Sequence, residues 1–135
     1  NRVSENFLQE IQTMVALKKI AHDGIIRLID YFEDEQSVYY VMQCCSQSLL
    51  DFVQTHFKRN HSMFEQMTEE KQEPTIVPSP WLKTVAILLR QICEAVLHLH
   101  DNNIVHLDLS MENVMLLNKL NIKIIDFGVA RRFCN

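Results

Sequence analysis

The last third of the chain most narrows what it can fold into. After a helical run come three short apolar stretches, Ile104-Val105, Val114 to Leu117 and Ile122 to Ile125, each with a polar neighbour at one end. Asp108 follows the first, Asn113 opens the second and Asp126 closes the third. Strands this short are stable only when packed on larger elements, and a carboxylate or amide at the end of a buried strand is exposed, paired or functional. Asn118 to Asn121 reads as the turn of a hairpin joining the second and third stretches. A hairpin returns the chain to the edge it left, so Asp126, thirteen residues beyond Asn113, is expected beside it, and Asp108 and Asn113, five residues apart, share one loop.

The elements upstream give that hairpin something to pack on. Ser4 is placed to cap a helix running to about Ile20, with Phe7, Ile11, Met14 and Leu17 at helical spacing. His22-Asp23-Gly24 reads as a turn, Ile25 to Phe32 and Ser37 to Met42 as strands, and Glu33 to Gln36 as the polar loop between them. Ser48 to Phe57 is expected to be a short helix. Trp81 to His100 is the strongest one, with Val85, Leu88, Leu89, Ile92, Val96 and Leu99 on one broad face. Lys58 to Pro80 holds all three prolines and few apolar residues, and reads as an exposed insertion. The class is α+β.

With 135 residues, 47% of them hydrophobic, the chain suffices for one domain with a sizeable core and is not disordered as a whole. A net charge of -4 gives no basic footprint for nucleic acid. No apolar run approaches the roughly 18 residues that span a bilayer, and the first ten residues lack a signal-peptide core. Cys44, Cys45, Cys93 and Cys134 form no CxxC, so free thiols in a cytoplasmic or nuclear compartment, rather than a secreted disulfide framework, are expected. Two glycines, Gly24 and Gly128, stand where roughly nine are usual, so this stretch contains no Gly-rich phosphate loop. It begins in a helical pattern and stops at Arg131 to Asn135 without a closing element, and reads as an excerpt of something longer.

Phosphoryl transfer gives the three polar residues a purpose. Magnesium on a nucleotide's phosphates takes hard oxygen ligands, which a carboxylate and an amide supply. A second carboxylate near the attacking hydroxyl orients it and accepts its proton. His106-Leu107-Asp108-Leu109-Ser110-Met111-Glu112-Asn113 resembles the catalytic loop H-R-D-L-x-x-x-N of eukaryotic protein kinases, and Asp126-Phe127-Gly128 matches their D-F-G, in family order and spacing. Phe7 to Ile11 resembles the αC helix of that family. Ile25 to Phe32 and Val38 to Met42 resemble its fourth and fifth strands.

The resemblance implies a kinase-like two-lobe fold seen in part, as a single partial domain over 1–135: residues 1–43 from the small lobe and 44–135 from the helical large lobe, with 58–80 as a loop insertion. It implies Asp108 as catalytic base, Asn113 and Asp126 as Mg2+ ligands, and ATP against the hinge at Met42, Gln43, Cys44 and Cys45 with Met115 beneath the adenine. Glu10 stands where the family's glutamate pairs the nucleotide-binding lysine. Met14, Leu28, His106 and Phe127 stand where an apolar column couples the lobes, and Gly128 completes the D-F-G.

Two departures bear on activity. Leu107 replaces the arginine that in family members holds a phosphorylated activation loop, and Ser110 replaces the lysine that in serine/threonine kinases contacts the transferred phosphate. Met111-Glu112-Asn113 resembles the serine/threonine P-E-N form more than the tyrosine forms. The expected function is transfer of the ATP γ-phosphate to a Ser or Thr hydroxyl of a protein substrate. Residues 1–135 alone, without a Gly-rich loop or activation segment, are expected to be inactive. The alternatives are a pseudokinase or scaffold that binds protein partners without transfer, and a small-molecule kinase, against which Phe127-Gly128 and the αC-like segment weigh.

Overall fold

A computed structural model describes residues 2–34, 37–67 and 80–133. Helix α1 (Arg2–Lys19) leads into the hairpin β1 (Leu28–Glu33) and β2 (Val38–Met42). Strand β3 (Gln47–Ser48) opens α2 (Leu49–Met67), followed by α3 (Pro80–Asp101) and β4 (Ile104–Val105). The hairpin β5 (Val114–Asn118) and β6 (Asn121–Ile124) and the short β7 (Arg131–Arg132) complete the order. β1 and β2 form one antiparallel pair, β3-β5-β6 a three-stranded sheet, and β4 pairs with β7.

The helix ends follow from local chemistry. Ser48 caps α2: its hydroxyl accepts from the Asp51 amide at 3.0 Å and donates to the Asp51 carboxylate at 2.7 Å, which satisfies a backbone donor the helix leaves open. Pro80, lacking an amide hydrogen, sits at the first position of α3. That helix ends where Asn103 takes a left-handed φ of 57° and its amide bonds the His100 carbonyl at 2.9 Å. The first helix starts at Arg2, so Ser4 lies inside it rather than at its cap.

Two further boundaries differ from the sequence reading. Strand β1 begins at Leu28 and not Ile25, because the backbone of 24–26 is engaged elsewhere. The Ile26 amide donates to the Ile124 carbonyl at 3.0 Å and the Ile124 amide to Gly24 at 2.8 Å, so Ile25 bridges the edge of β6 in parallel. Helix α2 is longer than expected and carries 58–67, the start of the stretch read as an insertion. Its last turns are polar but contain no proline to stop them; all three prolines lie beyond. Trp81 stacks on His56 with ring centroids 3.6 Å apart, which ties the start of α3 to α2. Residues 68–79 lie outside the described residues, as do the loop positions 35 and 36 and Cys134.

The core joins all of these layers. Met14 and Leu17 of α1 and Ile25, Ile26 and Leu28 are buried in one cluster with Leu88, Ala95 and Leu99 of α3, Val114, Leu116, Ile122 and Ile124 of the hairpin, and Phe127. Each large side chain in it stabilises the fold by about 1.5–3 kcal/mol. The closest approach is at Gly24, where an added Cβ would stand 2.7 Å from Cβ of Ala95. Neither atom is the end of a flexible chain, so Gly24→Ala is expected to lower stability by about 1–3 kcal/mol in a urea melt. An unchanged midpoint would show that α3 can retreat from the turn.

Candidate functional site

The site is built around the β5-β6 hairpin. Val114 faces Ile124 in register, and just before that pair the Ile125 amide donates to the Asn113 carbonyl at 2.9 Å. This bond sets Asn113 beside the residue that precedes Asp126. The Asn113 side chain reaches the other way: its amide nitrogen donates to the Asp108 carbonyl at 2.9 Å and to Oδ2 of the Asp108 carboxylate at 3.0 Å. With Nδ2 so committed, Oδ1 of Asn113 is left as an acceptor. Ser110 supports the loop from within, its hydroxyl accepting from the Asn113 amide at 3.2 Å. The structure thus brings Asp108, Asn113 and Asp126 together at one end of the hairpin, with both carboxylates exposed to solvent.

His106 and Phe127 form the floor. His106 is 4% exposed; its Nε2 bonds the Ile125 carbonyl at 2.8 Å and its Nδ1 faces the Asp108 amide at 3.3 Å. The second of these contacts makes Nδ1 an acceptor and places the proton on Nε2. The fully buried Phe127 ring meets the imidazole edge-on, with centroids 4.9 Å apart. One buried ring pair thereby spans both motifs. Met14 and Leu28 belong to the same buried cluster as Phe127.

Both motif turns are left-handed: Leu107 at φ 66° and Asp126 at φ 61°. Asp tolerates that region and Leu does so at a cost of about 1–2 kcal/mol, a strain typical of functional turns. Asp126 also accepts from the Gly128 amide at 3.2 Å through Oδ1. At Gly128 a Cβ would stand 3.3 Å from that oxygen and 3.8 Å from Oε2 of Glu10, so glycine leaves room between two carboxylates.

Those carboxylates open on a cleft of about 340 Å³ lined by Glu10, Met14, Ile26, Tyr40, Met42, Gln43, Cys45, Met115, Ile125 and Asp126. Seven of the residues singled out in the sequence therefore share one cavity. Cys44 does not line it; its thiol is exposed and turned onto the Cys45 carbonyl at 3.7 Å. Burial raises the Cys45 thiol above its usual range, as does neighbouring Cys44, while Lys123 draws it down.

Sequence reasoning missed Tyr40, whose hydroxyl donates to Glu10 Oε2 at 3.3 Å. Strand alternation held the clue, since Tyr40 and Met42 share a face. Burial pushes Glu10 above the ordinary carboxylate value, the Tyr40 hydrogen bond pulls it back, and the Asp126 charge pushes it up again. Tyr40 is itself pushed up to about 12, by burial and then by the Glu10 charge. Because the native value of Glu10 is raised, its contribution to stability is present below about pH 4.5 and is lost as pH rises through the native value. Tyr40→Phe removes the one downward influence, so the Glu10 carboxyl is expected to titrate at still higher pH. A carboxyl 13C titration reads this directly, and a fall would contradict it.

The donor set suits a hard divalent cation. Oδ1 of Asn113 and the exposed Asp126 carboxylate are oxygen ligands of the kind magnesium takes, with room for its waters. Among the described residues no group of three or more His, Cys, Asp or Glu gathers as a metal cage.

An amide tied to a carboxylate on one loop and a second carboxylate before Phe-Gly thus meet at one end of the β5-β6 hairpin. The chain belongs to the protein kinase family: the protein kinase domain matches residues 1–135, and its α+β fold is part of the kinase fold. It is 34% identical over 131 residues to myosin light chain kinase 3 of Homo sapiens, covering 96% of this chain and 13% of that protein. It is 34% identical over 125 residues to the serine/threonine-protein kinase PSK1 of Saccharomyces cerevisiae, covering 90% and 8%. Against the serine/threonine-protein kinase PLK4 of Drosophila virilis it is 30% identical over 128 residues, covering 95% and 14%. The chain spans about a seventh or less of the length of these relatives. No helix among the described residues is long and apolar enough to cross a membrane.

Proposed function

We propose that the protein containing this chain transfers the γ-phosphate of ATP to a serine or threonine hydroxyl of a protein substrate. The observation that carries the reading is the Asn113 side chain, which bonds Asp108 through both its carbonyl and carboxylate oxygens while the Asn113 backbone bonds Ile125. That double tie holds a base and two oxygen ligands at fixed spacing. Asp108 orients the attacking hydroxyl and accepts its proton. Asn113 Oδ1 and Asp126 would hold Mg2+, which when bound neutralises charge on the phosphates. Met42, Gln43, Cys45 and Met115 line the cavity on the adenine side, and Cys44 does not.

The names of PSK1 and PLK4 and the Met111-Glu112-Asn113 sequence support serine/threonine over tyrosine. The pseudokinase reading draws on Ser110, whose hydroxyl is spent on the Asn113 amide and brings no cation to a phosphate. The test is the intact protein with labelled ATP, magnesium and a degenerate peptide library. Label on serine or threonine supports the reading; nucleotide binding without transfer gives the pseudokinase. A polypeptide of residues 1–135 supplies base and ligands but, with two glycines, no Gly-rich loop. It is expected to transfer no phosphate to peptide, and clear magnesium-dependent transfer by it would overturn that expectation.

A further inference from the structure

A second cavity, of about 570 Å³, lies behind the nucleotide cleft, between the end of α1, the turn after it and β6. Its walls carry Lys18, His22, Asp23, Arg27 and Lys123. Three permanent cations face one carboxylate there, in a chain whose net charge is -4. Such a reversal of local sign concentrates anions.

Lys123 is the unusual member. It is 9% exposed, yet its ammonium has a single acceptor among the described residues, the Asp23 carbonyl at 2.6 Å. An ammonium has three donors, and a charge this buried is normally paired. The Arg27 guanidinium has no hydrogen-bond or ion-pair partner among the described residues, although its backbone carbonyl accepts from Gln43 at 3.3 Å. Lys18 is held over the cavity by a long contact of 3.5 Å to the Ile29 carbonyl. His22 adds a donor: its Nδ1 accepts from the Gly24 amide at 3.0 Å, which leaves the proton on Nε2.

We propose that this cavity is an anion site for a phosphate group, free or carried on a phosphorylated side chain. The surplus of two positive charges matches a phosphate dianion. Its tetrahedral oxygens offer acceptors in the divergent directions from which ammonium, guanidinium and imidazole approach. A monoanionic carboxylate would leave one charge uncompensated. The site is separate from the nucleotide's phosphates, since Asp126 and Asn113 do not line it.

The intact protein is titrated with inorganic phosphate, and in a second arm with O-phosphoserine, at constant ionic strength set by chloride and with adenosine saturating. Thermal unfolding is expected to shift up by about 3 °C at ten times the dissociation constant. Arg27→Gln and Lys18→Gln, both on exposed side chains, are expected to weaken the phosphate response at least fivefold without moving the unliganded midpoint, and Lys123→Met to abolish it. Equal responses to the two probes assign the free ion, and a tenfold preference for phosphoserine assigns the carried group. A phosphate response no larger than that of chloride, or one unchanged in Arg27→Gln, overturns the proposal.

Discussion

Replacing Asp108 with asparagine in the intact protein is expected to lower kcat by about 100- to 10,000-fold, the usual contribution of a positioned general base, and to leave nucleotide affinity unchanged. The substitution is informative because the loop has a way to survive it. Asn113 donates to Oδ2 of Asp108 and to its carbonyl. An asparagine oxygen at position 108 accepts the same bond, and the backbone half of the tie does not depend on the side chain at all. The base disappears and the scaffold stays. Nucleotide binding by fluorescence, measured beside single-turnover transfer, separates the two. Equal losses in both would mean that Asp108 is structural, and full activity would remove it from the chemistry.

The tie between Asp108 and Asn113 was legible in the sequence as spacing, and its reason is local: five residues on one short loop cannot stray far apart. The arrival of Asp126 beside them was legible as well, because apolar stretches flanking Asn118 to Asn121 can bury both faces only as a hairpin. Helix α3 announced itself through Leu88 and Leu99, which are buried, with Val85, Ile92 and Val96 half-buried beside them; Leu89, read onto the same face, is exposed, and the buried Ala95 was not singled out. Two-residue strands did not. Gln47–Ser48 and Arg131–Arg132 have no period to read, and their pairing is dictated by partners far along the chain, Leu116 with Gln47 and Ile104 with Arg132. The same holds at Ile25, whose β-branched neighbours fit a strand equally well in the β1-β2 pair or against Ile124; only tertiary docking decides. Tyr40 was hidden for a different reason. A tyrosine in a strand looks like ordinary core, and its role emerges only when α1 brings Glu10 to within 3.3 Å. The charged cavity around Lys123 was equally unreadable, since a single lysine inside Ile122 to Ile125 gives no sign that Lys18 and Arg27 will face the same space.

Asp126 sets the second large effect, and its backbone lets charge be separated from shape. At φ 61° the residue sits where Asp and Asn are tolerated and where alanine costs about 1–2 kcal/mol. Asp126→Asn keeps that turn and keeps an oxygen for the Gly128 amide, which now lies 3.2 Å from Oδ1. It removes only the charge that would hold Mg2+. Transfer is expected to fall by at least about a hundredfold, the scale of losing one electrostatic stabiliser of a transition state, with the unfolding midpoint held. Asp126→Ala is expected to lose as much activity and also stability, through the strained turn and the missing hydrogen bond. A third readout ties the residue to its neighbour. The Asp126 charge helps to hold Glu10 above the ordinary carboxylate value, so either variant lets the Glu10 carboxyl titrate lower than in the parent protein. Loss of activity with no movement of Glu10 would mean that the two carboxylates do not share a field. Retained magnesium-dependent transfer in Asp126→Asn would mean that the charge at the end of β6 is not what holds the metal.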